Sequence, residues 1–230
     1  MPPSDDPPIE VELKLMLPDQ AAYDAVRTWL DAAATSCRVR SQRNLYLDTA
    51  DLRLRAQRAM LRLRFEPDHV VATLKTRPNL HAGLMRTEER EAPLDADLAA
   101  RFRARAPSRV DPDVLPLAAA LRPLLGDAEP APALFALGAL INERRSYELP
   151  RALLDGGAGT VPIDLDHSLG PAGTPRLEVE LEHPDAAALE GALYARLLDL
   201  GVAASPSEQS KYAWFLEGLA STGRDEPSEA

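Results

Sequence analysis

Short segments in which apolar and charged residues alternate are the most regular feature of the chain. In "IEVELKLM" at 9–16 the odd positions are Ile, Val and Leu, whereas the even positions begin with Glu10, Glu12 and Lys14. Side chains of a β-strand point to opposite sides in turn, so this segment is predicted to be a strand with one apolar and one charged face. The same pattern, with turn residues between the segments, predicts strands at 43–49, 59–66, 69–77, 84–94, 139–149, 160–168 and 175–183.

Apolar residues at helical spacing predict further elements around these strands. Helices are expected at 18–35, 185–200 and 207–219, the first with Asp19 as its N-cap candidate.

The middle of the chain, residues 95–132, is rich in Ala, Leu and Pro and is predicted to be a helical insertion. Its helical pieces are expected near 95–105 and 113–125, with breaks at Pro112, Pro116 and Pro123. Residues 220–230 are polar and are predicted to form a disordered acidic tail.

The order of the predicted elements favours one fold class. Seven or eight strands that are joined mostly as hairpins, with helices at the ends and in the middle, are typical of an α+β protein built on a closed antiparallel β-barrel. We therefore predict a closed antiparallel barrel of seven or eight strands with flanking helices, in a single domain over residues 1–219.

Nearly every predicted strand carries a charged face. For any single strand, exposure of that face to water is the favoured explanation of the pattern. In a barrel whose apolar faces pack outward against helices, however, the charged faces line the interior, where uncompensated like charges are costly and a charged ligand is needed. The charged positions, strand by strand, are Glu10, Glu12 and Lys14; Arg62 and Arg64; Lys75 and Arg77; Arg86, Glu88 and Arg90; Asp164 and Asp166; and Glu178, Glu180 and Glu182.

The charge balance indicates what such a ligand would be. The chain has 230 residues and a net charge of −10, which argues against general nucleic-acid binding. Residues 38–109 nevertheless contain 16 Lys and Arg against 9 Asp and Glu, a local charge of +7. A basic segment suits a polyphosphate, and carboxylates suit Mg²⁺ or Mn²⁺, so the two together predict a metal-bound polyphosphate as the ligand.

Other features of the sequence exclude disulfide-bonded proteins, membrane-spanning proteins and several common enzyme classes. Cys37 is the only cysteine, and the longest apolar run, 131–141, has 11 residues where a membrane helix needs about 20. The N-terminus carries no export pattern, so a cytoplasmic protein without membrane contact is expected. The P-loop pattern, the GxSxG elbow and the HExxH pattern are absent from the sequence.

The ordered motifs resemble those of the CYTH, or triphosphate tunnel metalloenzyme, superfamily. The resemblance covers about residues 8–219 and implies an eight-stranded antiparallel tunnel that binds a triphosphate with one or two divalent ions. It rests on "EVELK" at 10–14, "YLDTAD" at 46–51, "LRLR" at 61–64, "TLK" at 73–75, "RTE" at 86–88, the Arg pair at 144–145, "DLD" at 164–166, "EVELE" at 178–182 and "SK" at 210–211.

The resemblance also implies roles for individual residues. The catalytic acids would be Glu10, Glu12, Glu178 and Glu180. The substrate would be bound by Lys14, Arg62, Arg64, Lys75, Arg86, Arg145 and Lys211. Mg²⁺ or Mn²⁺ would be held by Glu10, Glu12, Glu88, Asp166, Glu178 and Glu180. Two choices stay open, because either Arg144 or Arg145, and either Glu88 or Glu89, could face the ligand.

By this resemblance the chain is expected to hydrolyse inorganic triphosphate to pyrophosphate and phosphate, as bacterial tripolyphosphatases do. A class IV adenylyl cyclase, a thiamine triphosphatase and a non-catalytic module that binds polyphosphate or a nucleotide are the alternatives. The expected partner is a triphosphate-containing small molecule, with the protein a monomer or homodimer and with no nucleic acid bound.

Overall fold

The computed structural model describes residues 7–126 and 130–222. The long strands are β1 (Ile9–Met16), β2 (Ser36–Thr49), β3 (Met60–Phe65), β4 (Val70–His81), β5 (Leu84–Pro93), β7 (Leu134–Pro150), β8 (Thr160–Leu169) and β9 (Pro175–Glu182). Between β5 and β7 lies the two-residue strand β6 (Arg109–Val110). A second two-residue strand, β10, is Ser205–Pro206. The helices are α1 (Gln20–Ala33), α2 (Arg53–Ala56), α3 (Ala96–Ala104), α4 (Ala118–Leu125), α5 (Ala186–Asp199) and α6 (Lys211–Thr222).

The strands pair in the order β10-β1-β5-β4-β3-β2-β7-β8-β9, and β6 pairs with β7. Because β1 also pairs with β9, the eight long strands form a closed antiparallel β-barrel. The predicted fold class, an α+β protein built on such a barrel, is confirmed.

The chain divides into two compact units. The first contains residues 7–9, residues 42–78 and the described part of 87–140. The second contains residues 10–41, residues 79–86 and the described part of 141–222.

In the second unit, helices α1 and α5 cover apolar strand faces. Val26 and Leu30, one helical turn apart on α1, belong to the same buried core as Leu189 of α5, Leu13 of β1 and Val179 of β9. Asp19 caps α1 as predicted, since its side chain accepts a hydrogen bond from the Ala22 backbone N–H at 2.8 Å. The opposite faces of these strands are left for charged residues.

The first unit has a core of its own. Leu61 and Leu63 of β3 and Leu74 of β4 are buried together with Phe102 of α3 and Leu121 of α4. Alternation along β3 and β4 again places the polar side chains on the other face. The apolar faces therefore pack against helices in each unit, as the barrel hypothesis requires.

Several element boundaries differ from the predictions. β2 begins at Ser36, seven residues before the predicted strand, because backbone pairing with β7 does not require an apolar face. A short helix, α2, replaces a predicted turn, since the Asp48 carboxylate accepts hydrogen bonds from the backbone N–H groups of Leu54 and Arg55.

The helical insertion also departs from expectation. A 3₁₀ helix at Pro112–Val114 precedes α4, and Pro123 lies inside α4 instead of ending it. Pro123 has no N–H and therefore leaves α4, a helix of 8 residues, one intrahelical hydrogen bond short. α6 continues to Thr222, and the rest of the predicted acidic tail, 223–230, lies outside the described residues. In the described ranges, no helix combines the length and the apolar composition needed to cross a bilayer.

Candidate active site

Strand register in the second unit brings charged residues onto one shared face. Lys14 of β1 lies opposite Glu180 of β9, and Asp166 of β8 lies opposite both Glu178 of β9 and Arg144 of β7. Directly opposed residues point to the same side of a sheet. We call the resulting group the charged cluster; its members are Glu12, Lys14, Arg144, Asp164, Asp166, Arg176, Glu178, Glu180 and Lys211.

Glu180 is the most heavily paired carboxylate of the cluster. Its Oε1 lies 2.6 Å from Lys14 Nζ, and its Oε2 lies 2.6 Å from Arg144 Nη2. Lys211 Nζ, from the first residue of α6, also contacts Oε1. Burial alone would raise the pKa of Glu180, but the three cations hold that pKa well below its ordinary value, so the side chain is ionised.

Asp166 is fully buried and accepts bonds from three residues. Arg144 donates to it from Nε at 2.9 Å and from Nη2 at 2.6 Å, Lys211 Nζ lies 2.8 Å away, and the Asn142 amide donates at 3.0 Å. Burial opposes ionisation, but Arg144 and Lys211 outweigh it and lower the pKa of Asp166 to about 2. The carboxylate is therefore charged across the ordinary pH range.

The two lysines of the charged cluster are also close to carboxylates. Lys14 Nζ lies 2.9 Å from Glu12, and Lys211 Nζ lies 2.8 Å from Glu178 Oε2, an ion pair without good hydrogen-bond geometry. Burial lowers the pKa of both lysines, yet the surrounding carboxylates reverse the effect and raise the pKa of each, well above its ordinary value for Lys211. Both ammonium groups stay protonated.

The cluster neutralises itself almost completely. It holds five carboxylates and four cations, and each carboxylate has a cation within 2.9 Å. Phosphate oxygens would compete with these carboxylates for the lysine and arginine side chains, and a carboxylate released by that competition would suit a hard divalent cation. Among the described residues, no group of three or more His, Cys, Asp or Glu side chains already has the arrangement of a metal site.

Two other acids of the predicted set lie at the border of the cluster. Glu10 is half-buried and shares the even-numbered face of β1 with Glu12 and Lys14. Glu182 is exposed and lies opposite Glu12, at the end of the paired stretch of β1 and β9.

The first unit carries a separate arginine patch, formed by Arg62, Arg64, Thr73, Lys75, Glu89 and Glu91. Arg62 Nη2 lies 3.6 Å from Glu91 Oε1, and Arg64 Nη2 contacts the same oxygen. Lys75 Nζ lies 3.0 Å from Glu89. Burial opposes ionisation of Glu91, but Arg64 and Arg62 lower the pKa of its carboxyl group. Three predicted substrate ligands thus lie together here, each paired with an acid.

The structure places the two residues of each open pair, Arg144 and Arg145 and then Glu88 and Glu89, against different partners. Arg144 enters the charged cluster, whereas Arg145 stands opposite Leu165 and bonds Glu143 at 3.0 Å. Neighbouring residues of a strand point to opposite faces, so only one of the two arginines can enter the cluster. The position expected for Arg145 is therefore occupied by Arg144.

Neighbouring residues of β5 also point to opposite faces, which separates Glu88 from Glu89. Glu89 reaches Lys75, whereas Glu88 pairs with Arg77 at 2.7 Å, apart from the arginine patch. Arg86 is exposed and shares the side of Glu88 by alternation. Arg86 and Glu88 are therefore members of neither the charged cluster nor the arginine patch.

Sequence reasoning did not assign roles to Asp164 or Arg176. Asp164 shows the same alternation as Asp166 and lies 2.5 Å from Arg144 Nη1, and burial raises the pKa of its carboxyl group. Arg176 stands two residues before Glu178 on β9 and bonds it at 2.7 Å. Asp164 is already one of the charged positions of the sequence, and Arg176 has the same even-numbered parity on β9 as Glu178 and Glu180, which was the signal for its place on the charged face.

The sequence matches the CYTH domain family over residues 8–203. A solved structure of a Hippeastrum protein proposed as an adenylyl cyclase, with a dominant triphosphatase activity, is 25% identical, with a TM-score of 0.78 over 91% of this chain and 96% of that chain. No curated protein matches this sequence.

Two further structures share the fold. One is a proposed adenylate cyclase from Bacillus halodurans, 22% identical with a TM-score of 0.59, over 90% of this chain and 98% of that chain. The other is the PH1819 protein from Pyrococcus horikoshii, 16% identical with a TM-score of 0.57 and the same coverage.

Proposed function

The chain belongs to the CYTH domain family, and we propose that it hydrolyses a triphosphate with the help of a divalent cation. Inorganic triphosphate is the proposed substrate, and pyrophosphate and phosphate are the products. The observation that carries the proposal is the charged cluster, in which five carboxylates and three cations share one strand face of the second unit and Lys211 of α6 supplies the fourth cation. The dominant triphosphatase activity of the Hippeastrum relative supports it.

The donor set of the cluster fits Mg²⁺ or Mn²⁺, because both cations prefer carboxylate oxygens. A bound ion supplies positive charge that polarises phosphate oxygens. The acid content of the cluster also exceeds its cation content by one, so a net negative charge remains for an incoming cation. The residues proposed to hold the ion are Glu10, Glu12, Asp166, Glu178 and Glu180.

Three of the four cations of the cluster are proposed to bind and orient the triphosphate. Arg144 is suited to a bidentate contact with phosphate oxygens, and Lys14 and Lys211 act as point charges. Phosphate oxygens compete with the carboxylate partners of all three side chains, so substrate binding is proposed to loosen these ion pairs. From the family resemblance, Arg62, Arg64 and Lys75 of the first unit are proposed as phosphate ligands, and phosphate oxygens would compete there with Glu91 and Glu89.

A second candidate is a reaction on an organic triphosphate, either hydrolysis or cyclisation of a nucleotide. It is favoured by a cavity of about 600 Å³ in the second unit, lined by Met16, Leu80, His81, Arg176 and Gln209 among others. This volume falls within the range of small-molecule sites, which is roughly 300–1,000 Å³.

One panel of assays tests these functions. Phosphate release is measured from inorganic triphosphate, ATP and thiamine triphosphate with Mg²⁺ or Mn²⁺, and pyrophosphate and cyclic AMP are quantified in parallel. The proposal expects the highest kcat/KM for inorganic triphosphate, no turnover in EDTA and no activity in Glu180→Gln. Cyclic AMP as the main product would establish the cyclase instead, and tight binding without turnover would establish a binding module.

A further inference from the structure

Arg176 joins the charged cluster to another part of the second unit. Its side chain is 4% exposed and lies on the face of β9 that also carries Glu178. Arg176 Nη2 lies 2.7 Å from Glu178 Oε1, from Ser207 Oγ and from Gln209 O. One nitrogen atom therefore links a cluster carboxylate to the segment that precedes α6.

That segment delivers Lys211 to the cluster. Ser207 is buried, and its hydroxyl donates a hydrogen bond to Gln209 O at 2.8 Å. Lys211 follows as the first residue of α6, and Trp214 lies one helical turn further on. The Cζ atom of Arg176 is 5.7 Å from the centre of the Trp214 ring. Arg176 thus contacts the chain on both sides of Lys211.

Two properties of arginine suit it to this place. A planar guanidinium group donates hydrogen bonds in its plane while its face stacks on an aromatic ring. A lysine would keep the charge but would lose the stacking face and the fixed direction of the donors. The contacts of Arg176 therefore depend on the planar shape of its guanidinium group as well as on its charge.

We propose that Arg176 is a positioning residue, which fixes the Lys211 ammonium and the Glu178 carboxylate relative to each other without contacting the substrate. The inference rests on the proposed function, because Lys211 and Glu178 matter there as ligands of the triphosphate and the metal. It adds a residue to which sequence reasoning gave no role.

A double-mutant cycle tests whether Arg176 acts through Lys211. The variants are Arg176→Met, Lys211→Met and the double substitution, and the measurement is KM for inorganic triphosphate with saturating Mg²⁺. Arg176→Met alone is expected to raise KM by about tenfold or more, but by less than about twofold when Lys211 is already replaced, since residues that act as a unit are not additive. Equal fold-changes in both backgrounds would overturn the proposal.

Three controls separate positioning from a general loss of structure. Arg196→Met removes a comparable stack, in which Arg196 Cζ lies 5.2 Å from the centre of the Trp29 ring, and is expected to leave KM unchanged. Arg176→Lys keeps the charge and is expected not to restore KM. Amide hydrogen exchange over 207–214 should be faster in Arg176→Met than in the wild type, and unchanged exchange there would refute the positioning role. If the Met variant does not fold, Arg176→Gln replaces it in the cycle.

A binding version of the cycle distinguishes failure of this inference from failure of the proposed function. Calorimetry measures Kd for inorganic triphosphate in the presence of Ca²⁺, without relying on turnover. If the wild type binds but does not hydrolyse, the proposed function fails, and the cycle in Kd still decides whether Arg176 acts through Lys211. If the wild type binds no triphosphate, both proposals are overturned.

Discussion

Replacing Asp166 by asparagine should destabilise the protein in a pH-dependent way. The substitution preserves the shape of a fully buried side chain but removes the negative charge that Arg144 and Lys211 contact. The pKa of Asp166 is about 2 against an ordinary value of 3.8, and one pKa unit corresponds to about 1.4 kcal/mol. The charge therefore contributes about 2 kcal/mol to the free energy of unfolding at pH 7.

The direction of the pKa shift of Asp166 determines the pH range in which its charge stabilises the protein. Because the folded-state pKa lies below the ordinary value, the contribution is complete above about pH 4 and is lost as the pH falls through about 2. At pH 7 the loss of about 2 kcal/mol should lower Tm by about 4–8 °C for a chain of this size. At pH 3 the difference between variant and wild type should shrink to roughly half.

Urea denaturation at pH 7 and pH 3, followed by circular dichroism, measures the difference in the free energy of unfolding at each pH, and thermal melting at pH 7 measures the shift in Tm. Asp199→Asn, the same chemical change at an exposed position of α5, is the matched control and should be near neutral at both pH values. The ionised, ion-paired state of Asp166 would be refuted if Asp166→Asn had the same free energy of unfolding as the wild type at pH 7. It would also be refuted if the difference in the free energy of unfolding did not decrease at pH 3.

Three further substitutions test other parts of the site. Glu12→Gln should slow turnover by about 10² or more and raise the metal requirement while the fold is kept, as measured by kcat against Mg²⁺ concentration. Arg62→Ala should weaken triphosphate binding in calorimetry but lower apo stability by no more than about 1 kcal/mol, since its partner Glu91 is partly exposed to water. Gly83→Ala should lower Tm, because its φ is +83° and an added Cβ would lie 2.7 Å from the Lys14 backbone oxygen; an unchanged Tm would contradict the close approach.

The sequence predicted the parts of the site that depend on strand alternation. The Glu10 to Lys14 stripe and the Glu178 to Glu180 stripe are periodic over two residues, and the register that places Lys14 opposite Glu180 preserves that parity. A closed barrel also followed from the pattern, because helices could cover only the apolar faces.

Register and partner choice could not be predicted in the same way. Arg144 and Arg145 are identical in type, and only the pairing of Arg144 with Asp166 across β7 and β8 distinguishes them. Along β4, a left-handed backbone at Arg77, with φ of 50°, interrupts the alternation that would have placed Arg77 beside Lys75.

The pairing of the cluster cations with carboxylates of the same cluster was also not predicted from the sequence. The charged faces suggested cations that need a ligand for compensation, but the structure pairs Lys14, Lys211 and Arg144 with carboxylates of the same cluster. Such pairs join residues far apart in sequence, so no local pattern reports them. The consequence is functional, because substrate and metal must now compete with internal partners.

Thermal melting over a matrix of metal and triphosphate concentrations tests the central claim, that one self-neutralised cluster accepts both ligands. Ca²⁺, or a triphosphate analogue that is hydrolysed slowly, prevents turnover from consuming the ligand. Triphosphate withdraws cations from the carboxylates, which then bind the metal better, and the metal does the reverse, a positive coupling of roughly 1–3 kcal/mol in typical cases. The account predicts that both ligands together raise Tm by more than the sum of their separate effects. Strictly additive shifts, or no shift with either ligand, would contradict it.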